Sequence, residues 1–186
     1  MFRVSKPSAV IAAILAASVF MPLATPPSAA QGAATTAGPT GSSGLPLPRF
    51  VSLKSAKVNS RIGPGSTYPV EWLYLKAGLP MEIIQEFDNW RRVRDADGAE
   101  GWINQSLLSG RRTGIVAPWQ RGKEATFDLM AQPSREARKV AAVEPGAIGS
   151  IRMCNGDWCQ MTFAGHTGWI SQTLVWGAYP GEAIKD

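Results

Sequence analysis

The chain is poor in the residues that most often carry chemistry. It holds one histidine and two cysteines among 186 residues. A nucleophile, base and orienting group have little to draw on. Cys159 and His166 fall in one hairpin-rich stretch, and pairing of Cys159 with Cys154 removes its thiolate, so we expect no catalytic residues. Cys154, Cys159 and His166 together are one ligand short of a closed zinc site, so no metal and no cofactor is expected. Acidic residues are also scarce, 14 against 19 Lys and Arg, giving a formal net charge of +5. The excess is mild and forms no concentrated basic stripe, which argues against a nucleic-acid partner. It suits weak attraction to an anionic cell surface or wall polymer. No apolar run approaches the roughly 20 residues that a membrane span needs. Beyond the first thirty residues, no segment shows a convincing amphipathic helical period, which leaves strands and turns.

The first thirty residues read as a secretory signal peptide. Arg3 and Lys6 form a positive start, Ala9 to Phe20 is apolar or small, and Pro22, Pro26 and Pro27 break any helix. Ser28-Ala29-Ala30 places small residues before a cut after Ala30. No cysteine follows the apolar run, so lipidation is not expected. Loss of Arg3 and Lys6 lowers the formal charge from +5 to +3. Residues 31–49 are rich in Gly, Ala, Thr, Ser and Pro and carry no acid, which predicts a disordered linker. Export, with no wall-anchoring tail before Asp186, leads us to expect a periplasmic protein of a Gram-negative envelope, with no membrane span after cleavage. Oligomeric state is not legible.

What is abundant is a repeated pattern. Asn89-Trp90-Arg91-Arg92-Val93 and Gly101-Trp102-Ile103 recur as Asp157-Trp158-Cys159-Gln160-Met161 and Gly168-Trp169-Ile170. A period of about 67 residues is too long for a solenoid and suits a small β-domain used twice. Module one is placed at 50–118. Its expected strands are Phe50–Leu53, Val70–Leu75, Met81–Phe87, Trp90–Arg94 and Gly98–Ile103, with Gly114–Val116 closing the sheet. Gly63-Pro64-Gly65, Asp88-Asn89 and Asp97-Gly98 are its turns, and Gln105 to Leu108 suits a 3₁₀ turn. Module two is placed at 123–179, with strands Ala125–Met130, Lys139–Val143, Gly149–Met153, Trp158–Phe163 and Gly168–Ile170. Short strands with a turn about every ten residues describe a small barrel or sandwich. The junction, Trp119 to Lys123, is polar except for Trp119, whose ring is expected to pack between the modules. Asn155-Gly156 is a tight-turn signal that brings Cys154 and Cys159 face to face, so a disulfide is expected in an oxidising compartment, two free thiols being the alternative.

The residues of module one resemble the bacterial SH3-like (SH3b) family. Val58-Asn59-Ser60-Arg61-Ile62-Gly63-Pro64-Gly65 is similar to its opening segment. Tyr68-Pro69-Val70, Leu79-Pro80-Met81-Glu82-Ile83, Asp88-Asn89-Trp90-Arg91-Arg92-Val93 and Gly101-Trp102-Ile103 follow in the family's order. Module two is a diverged copy that lacks the opening segment and has Leu129-Met130-Ala131-Gln132-Pro133 in its place. The resemblance implies an all-β chain of two tandem SH3-like barrels. It also implies binding of peptides or cell-wall glycopeptides without catalysis. In wall-cleaving cysteine peptidases such domains accompany a separate catalytic unit, for which this chain has no room.

A binding role needs exposed groups, whereas a small barrel needs buried ones. Trp72 and Tyr74 are two apart, so on a strand they share a face. Tyr68 follows the Gly-Pro-Gly turn and joins them in an aromatic groove of the kind that takes extended peptides. Trp90 and Trp102 recur in module two and suit a core or shelf. Gly63 and Gly65 are expected to supply turn angles that a Cβ resists, and Gly101 and Gly168 to give backbone clearance. Arg61 is placed to bond loop carbonyls or a ligand carboxylate. Glu71, Asp88 and Asp95 suit an amine, and Arg91, Arg92 and Arg94 a carboxylate, although on strands such charges are more often solvated. The candidate ligand-binding set is Arg61, Tyr68, Trp72, Tyr74, Asp88 and Trp90. The expected partner is a cell-wall glycopeptide or an envelope protein. Module one is expected to bind and module two to brace it.

Overall fold

The computed structural model describes residues 39–185; the expected leader and cleavage site lie outside them. Among the described residues, fifteen strands form two sheets. The first uses β1 (Arg49–Leu53), β2 (Val58–Arg61), β3 (Val70–Tyr74), β4 (Pro80–Phe87), β5 (Trp90–Arg94), β6 (Glu100–Asn104) and β7 (Leu108–Ser109). The second uses β8 (Thr113–Val116), β9 (Phe127–Met130), β10 (Lys139–Val143), β11 (Ile148–Asn155), β12 (Trp158–Phe163), β13 (His166–Ser171), β14 (Val175–Trp176) and β15 (Ala183–Ile184). The strand order is β3-β2-β6-β5-β4-β1-β7 in one and β10-β9-β13-β12-β11-β8-β14 in the other, with β15 on β11. Strand for strand the two orders correspond, so the sequence repeat is a repeat of topology.

Period-two burial explains why each strand holds its register. In β6, Gly101 and Ile103 face inward, while Glu100, Trp102 and Asn104 face outward. In β12, Cys159, Met161 and Phe163 are buried. The longest strands, β4 and β11, each carry a register shift, at Ile83/Gln85 and Ile151/Met153. Such bulges bend a strand and allow a short sheet to curl over its own core. That core is aliphatic in module one: Val51, Leu53, Val58, Met81, Ile83, Val93, Ile103 and Leu108. In module two, Leu129, Met161, Phe163 and Ile170 pack with the cysteines. Neither core cluster contains a tryptophan, so Trp90 and Trp102 are half-buried shelf residues.

Gly101 and Gly168 do give clearance, but to a neighbouring strand. A Cβ on Gly101 would lie 2.1 Å from Ser60 Oγ, and one on Gly168 would lie 2.9 Å from Leu129 Cβ and 3.1 Å from the Met130 carbonyl oxygen. Each glycine lets β2 or β9 cross close to the strand that carries the outward tryptophan.

Two expectations are corrected. Residues 39–49 are ordered, and Arg49 already belongs to β1. The segment turns back on itself, with Gly41 N–H donating to the Leu45 carbonyl and Leu47 N–H to that of Pro39. It is held by Glu86, which accepts from the Ser43 amide at 2.7 Å, Ser43 Oγ at 2.8 Å and Ser42 Oγ at 3.2 Å, and pairs with Arg49. Composition hid this because one carboxylate far along the chain supplies the order. Gly114–Val116 lies within β8, which pairs with β11 and β14 and so belongs to the second sheet. Thr113–Val116 is fully buried and apolar enough for either sheet, and only the pairing partner decides.

Cys154 and Cys159 stand directly opposite each other on β11 and β12 and are bonded. The Asn155 side chain accepts from the Asp157 and Trp158 amides and fixes the turn between them. The closed loop is short, so reduction is expected to cost only about 2 kcal/mol. Urea midpoints with and without reductant would check this, and module two should remain folded when reduced.

Contacts between the modules are specific. Phe50 of β1 is buried edge-on against Trp176 at 5.0 Å between ring centroids and tilted against Tyr179 at 4.8 Å. The Tyr179 hydroxyl donates to Glu82 at 2.8 Å. Glu82 also accepts two bonds from Arg94, at 2.9 and 2.6 Å. Burial, followed by the bond to Glu82, pushes the Tyr179 phenol well above its ordinary range. Tyr179→Phe leaves a buried carboxylate short of one donor and is expected to cost about 1.5–3 kcal/mol. Denaturant titration would test that figure.

Candidate binding surface of module one

The surface is built by the β2–β3 ribbon and its loop. Ser60 pairs with Trp72 and Val58 with Tyr74, so Trp72 and Tyr74 share a face of the ribbon as their spacing requires. Their environments differ. Trp72 is 51% exposed. Tyr74 packs against the core cluster and donates to Asp95 at 3.0 Å. Burial, then the Asp95 charge, raises its phenol far above the usual value. Tyr74 therefore supports the site from beneath and is not a free groove ring.

Tyr68 is exposed, and its ring lies over the Gly-Pro-Gly turn. A Cβ on Gly63 would lie 2.4 Å from that ring, and one on Gly65 3.2 Å. Neither glycine has a positive φ. The expectation of special turn angles is thus corrected: the glycines clear a seat for Tyr68. Arg61 resolves to the loop-bonding alternative, with Nη1 donating to the Tyr68 carbonyl at 2.6 Å.

Ile62, Tyr68, Val70, Trp72, Leu73 and Leu75 are all exposed. They make up more than half of the exposed large hydrophobics among the described residues. Strand β3 pairs only with β2 and ends its sheet. Its open edge therefore carries apolar side chains on both faces. The matching strand in module two, β10, carries Ala141 and Ala142 there, and Lys139 is tied to Asp128 at 2.7 Å. That edge is blunted in the usual way, and the β3 edge is not.

The register also shows a row that sequence reading missed. Val70, Arg61, Trp102, Arg92 and Gln85 lie side by side across β3, β2, β6, β5 and β4. Trp102 is thus flanked by two arginines, of which Arg92 is paired with Glu100 at 2.8 Å. In module two the same row reads Lys139, Met130, Trp169, Gln160 and Met153. The tryptophan is kept and the flanking cations are lost. The repeat signalled the tryptophans, but only strand pairing reveals their neighbours.

Trp90 lies on the outer face of β5, opposite Phe87 and Asn104. Asp88 sits in the β4–β5 turn at φ 48°. Its carbonyl accepts from Arg91 Nη1 at 2.8 Å. No hydrogen bond or ion pair among the described residues ties Asp88 or Trp90 to Trp72 or Tyr68. Arg91 is buried, reaching the Asp88 and Trp90 carbonyls and the Gln105 side chain, so it braces the hairpin and is not placed to catch a ligand. Arg94 is committed to Glu82.

Two small sheets of matching strand order, with aromatic rings on the outer face and the two cysteines consumed in a disulfide, define a chain built from duplicated SH3-like modules. A family model described as "Bacterial SH3 domain" matches residues 54–110 and 123–177, and the chain belongs to this family. Domains of this kind are typically non-catalytic. No curated protein matches the chain. Among solved structures it is similar to NlpC2 from Trichomonas vaginalis, at 15% identity and TM-score 0.31, covering 69% of this chain and 48% of that one. It is also similar to an NlpC/P60 family protein from Bacillus cereus ATCC 10987, at 12% identity and TM-score 0.31, covering 69% and 56%. The chain thus spans about half the length of these proteins. Scores at this level carry no function from them to this chain. No helix among the described residues is long and apolar enough to cross a membrane.

Proposed function

We propose that this is an exported, non-catalytic binding protein of the cell envelope that recognises peptidoglycan or its stem peptides through module one. The observation that carries this reading is the concentration of exposed apolar side chains between Ile62 and Leu75. Exposed apolar side chains gathered on one edge ribbon, on both of its faces, suit an interaction surface. Arg61 and Arg92 flank Trp102 and are held by the Tyr68 carbonyl and by Glu100, so they brace this surface. Family membership supports a wall component as ligand, and the Cys154–Cys159 bond supports an oxidising compartment such as the periplasm. We place the ligand-contacting role on Tyr68 and Trp72, with Arg61 and Tyr74 holding them, and we place module two as the brace. Titration of soluble muropeptides into the protein, followed by tryptophan fluorescence, tests the reading. Trp72→Ala should weaken binding by roughly 10-fold or more, the effect of losing one stacking ring. Unchanged affinity would remove Trp72 from the site.

The open edge of β3 favours a second reading, in which module one adds an extended segment of an envelope protein as an extra strand. That reading requires co-purification with one partner and no affinity for wall material.

A further inference from the structure

A cleft of about 440 Å³ lies between the modules. From module one it is walled by Glu82, Arg94, Asp95 and the β5–β6 turn. From module two come Gln172, Thr173, Trp176 and Tyr179, and Trp119 stands at the junction. Trp119 is not packed between the modules as its sequence position suggested. It is 57% exposed on the cleft wall. The chain pays for this placement: buried Ala117 takes the left-handed conformation, φ 36°, immediately before the Pro118–Gln120 turn that presents the ring. A non-glycine residue held there costs about 1–3 kcal/mol and persists only where the surroundings enforce it.

The walls are fixed from both sides. Tyr179 bonds Glu82 across the modules, and Arg121 at the junction bonds Asp97 of the β5–β6 turn at 3.0 and 2.9 Å. A preformed cleft of this size that mixes rings with a few polar groups has the character of a small-molecule site. Its charged walls already have partners. Glu82 holds Arg94 and Tyr179. Asp95 accepts from the Tyr74 hydroxyl and from the Asp97 and Ala99 amides. What is left to meet a ligand is Trp119, with the neutral hydroxyl of exposed Thr173, which shares one bond with Ser171 Oγ at 3.0 Å and keeps capacity for another. The Gln172 side-chain nitrogen is spent within module two, donating to the Tyr179 and Glu182 carbonyls. Phe50, Trp119 and Tyr179 all lie outside the segments that match the family, 54–110 and 123–177.

We propose that this cleft binds a neutral saccharide ring, with Trp119 as the stacking platform. The C–H face of a pyranose carries partial positive charge and suits the negative face of an indole. Sugar hydroxyls both donate and accept, which suits neutral polar neighbours and needs no unpaired charge. The inference rests on the wall-binding reading and adds a glycan contact separate from the peptide contact of module one.

The test is calorimetric titration of the protein with a β-1,4-linked N-acetylglucosamine tetramer. Binding is expected for the native protein. Trp119→Ala should lose roughly 10-fold or more in affinity, with an unchanged melting curve because the side chain is exposed. Trp119→Phe should retain most of the affinity. Absence of saccharide binding by the folded native protein would overturn the proposal, as would equal binding by Trp119→Ala. Neither result would touch the muropeptide binding of module one, so the two readings fail separately.

Discussion

Gly177→Ala is expected to be the most damaging single change in the chain. Gly177 has φ 129°, a conformation that L side chains rarely adopt. A Cβ there would lie 2.3 Å from the Thr113 carbonyl oxygen and 2.8 Å from Gly114 Cα. Both contacts are with the backbone of β8, which lies between β11 and β14 and cannot swing aside like a side chain. The Gly177 carbonyl also accepts from Arg112 at 2.7 Å, and Arg112 in turn grips Glu182 through two bonds at 2.8 and 2.9 Å. The neighbouring rings, Trp176 and Tyr179, are those that seat Phe50. One substitution thus strains the backbone, parts a strand pair and loosens the junction. We expect a loss of about 3–5 kcal/mol, or a fall in Tm of about 10 °C. Calorimetry would show it, and a shift below about 2 °C would contradict the argument.

Glu86→Gln is expected to have the second largest effect. Its side chain is almost wholly covered, with Arg49 at 2.5 Å and Arg91 at 3.3 Å. Burial alone would raise its pKa. The Ser43 amide, Arg49 and the Ser43 hydroxyl outweigh burial and hold it at about 2, below the ordinary 4.5. An amide supplies no charge for two arginines and offers one carbonyl oxygen where the carboxylate has two. We expect a loss of about 2–4 kcal/mol at neutral pH, with protease sensitivity appearing at residues 39–48. The pH dependence has a definite sign. A carboxylate with a lowered folded pKa contributes stability that is complete above its unfolded value of 4.5. That stability is lost as pH falls towards 2. The native protein should therefore weaken steeply between pH 4.5 and 2, and Glu86→Gln should weaken less over the same interval. Parallel acid titrations of the two would contradict the role given to Glu86.

Much of the fold was legible because its signals are local. Trp90–Arg94, Lys139–Val143 and Trp158–Phe163 carry period-two patterns, and the structure keeps those bounds. The Asn155-Gly156 turn predicted the facing cysteines. What was not legible depends on partners distant in sequence. β2 was hidden because its four residues read as the start of a loop motif, although Val58 and Ser60 are buried. β8 reads equally well as the last strand of one sheet or the first of the next. The ordering of residues 39–49 depends on Glu86, which no composition rule reaches.

The candidate site divides in the same way. Exposure of Trp72 and Tyr68 agrees with a binding role read from spacing and from the turn before Tyr68. Tyr74 had the right face but the wrong depth, because Asp95 draws its hydroxyl inward. The row of Arg61, Trp102 and Arg92 is invisible in sequence, since its members come from three strands. The inter-module cleft is invisible for the same reason: its rings are scattered from Phe50 to Tyr179.

The most direct test of wall recognition by module one is co-sedimentation with purified sacculi, comparing the native protein with a Tyr68→Ala, Trp72→Ala double variant. Both changes lie on exposed side chains, so a native-like melting curve should accompany the variant. The account predicts that the native protein pellets with sacculi and that the folded variant stays largely in the supernatant. A native protein that remains in the supernatant, or a variant that pellets equally, would contradict it.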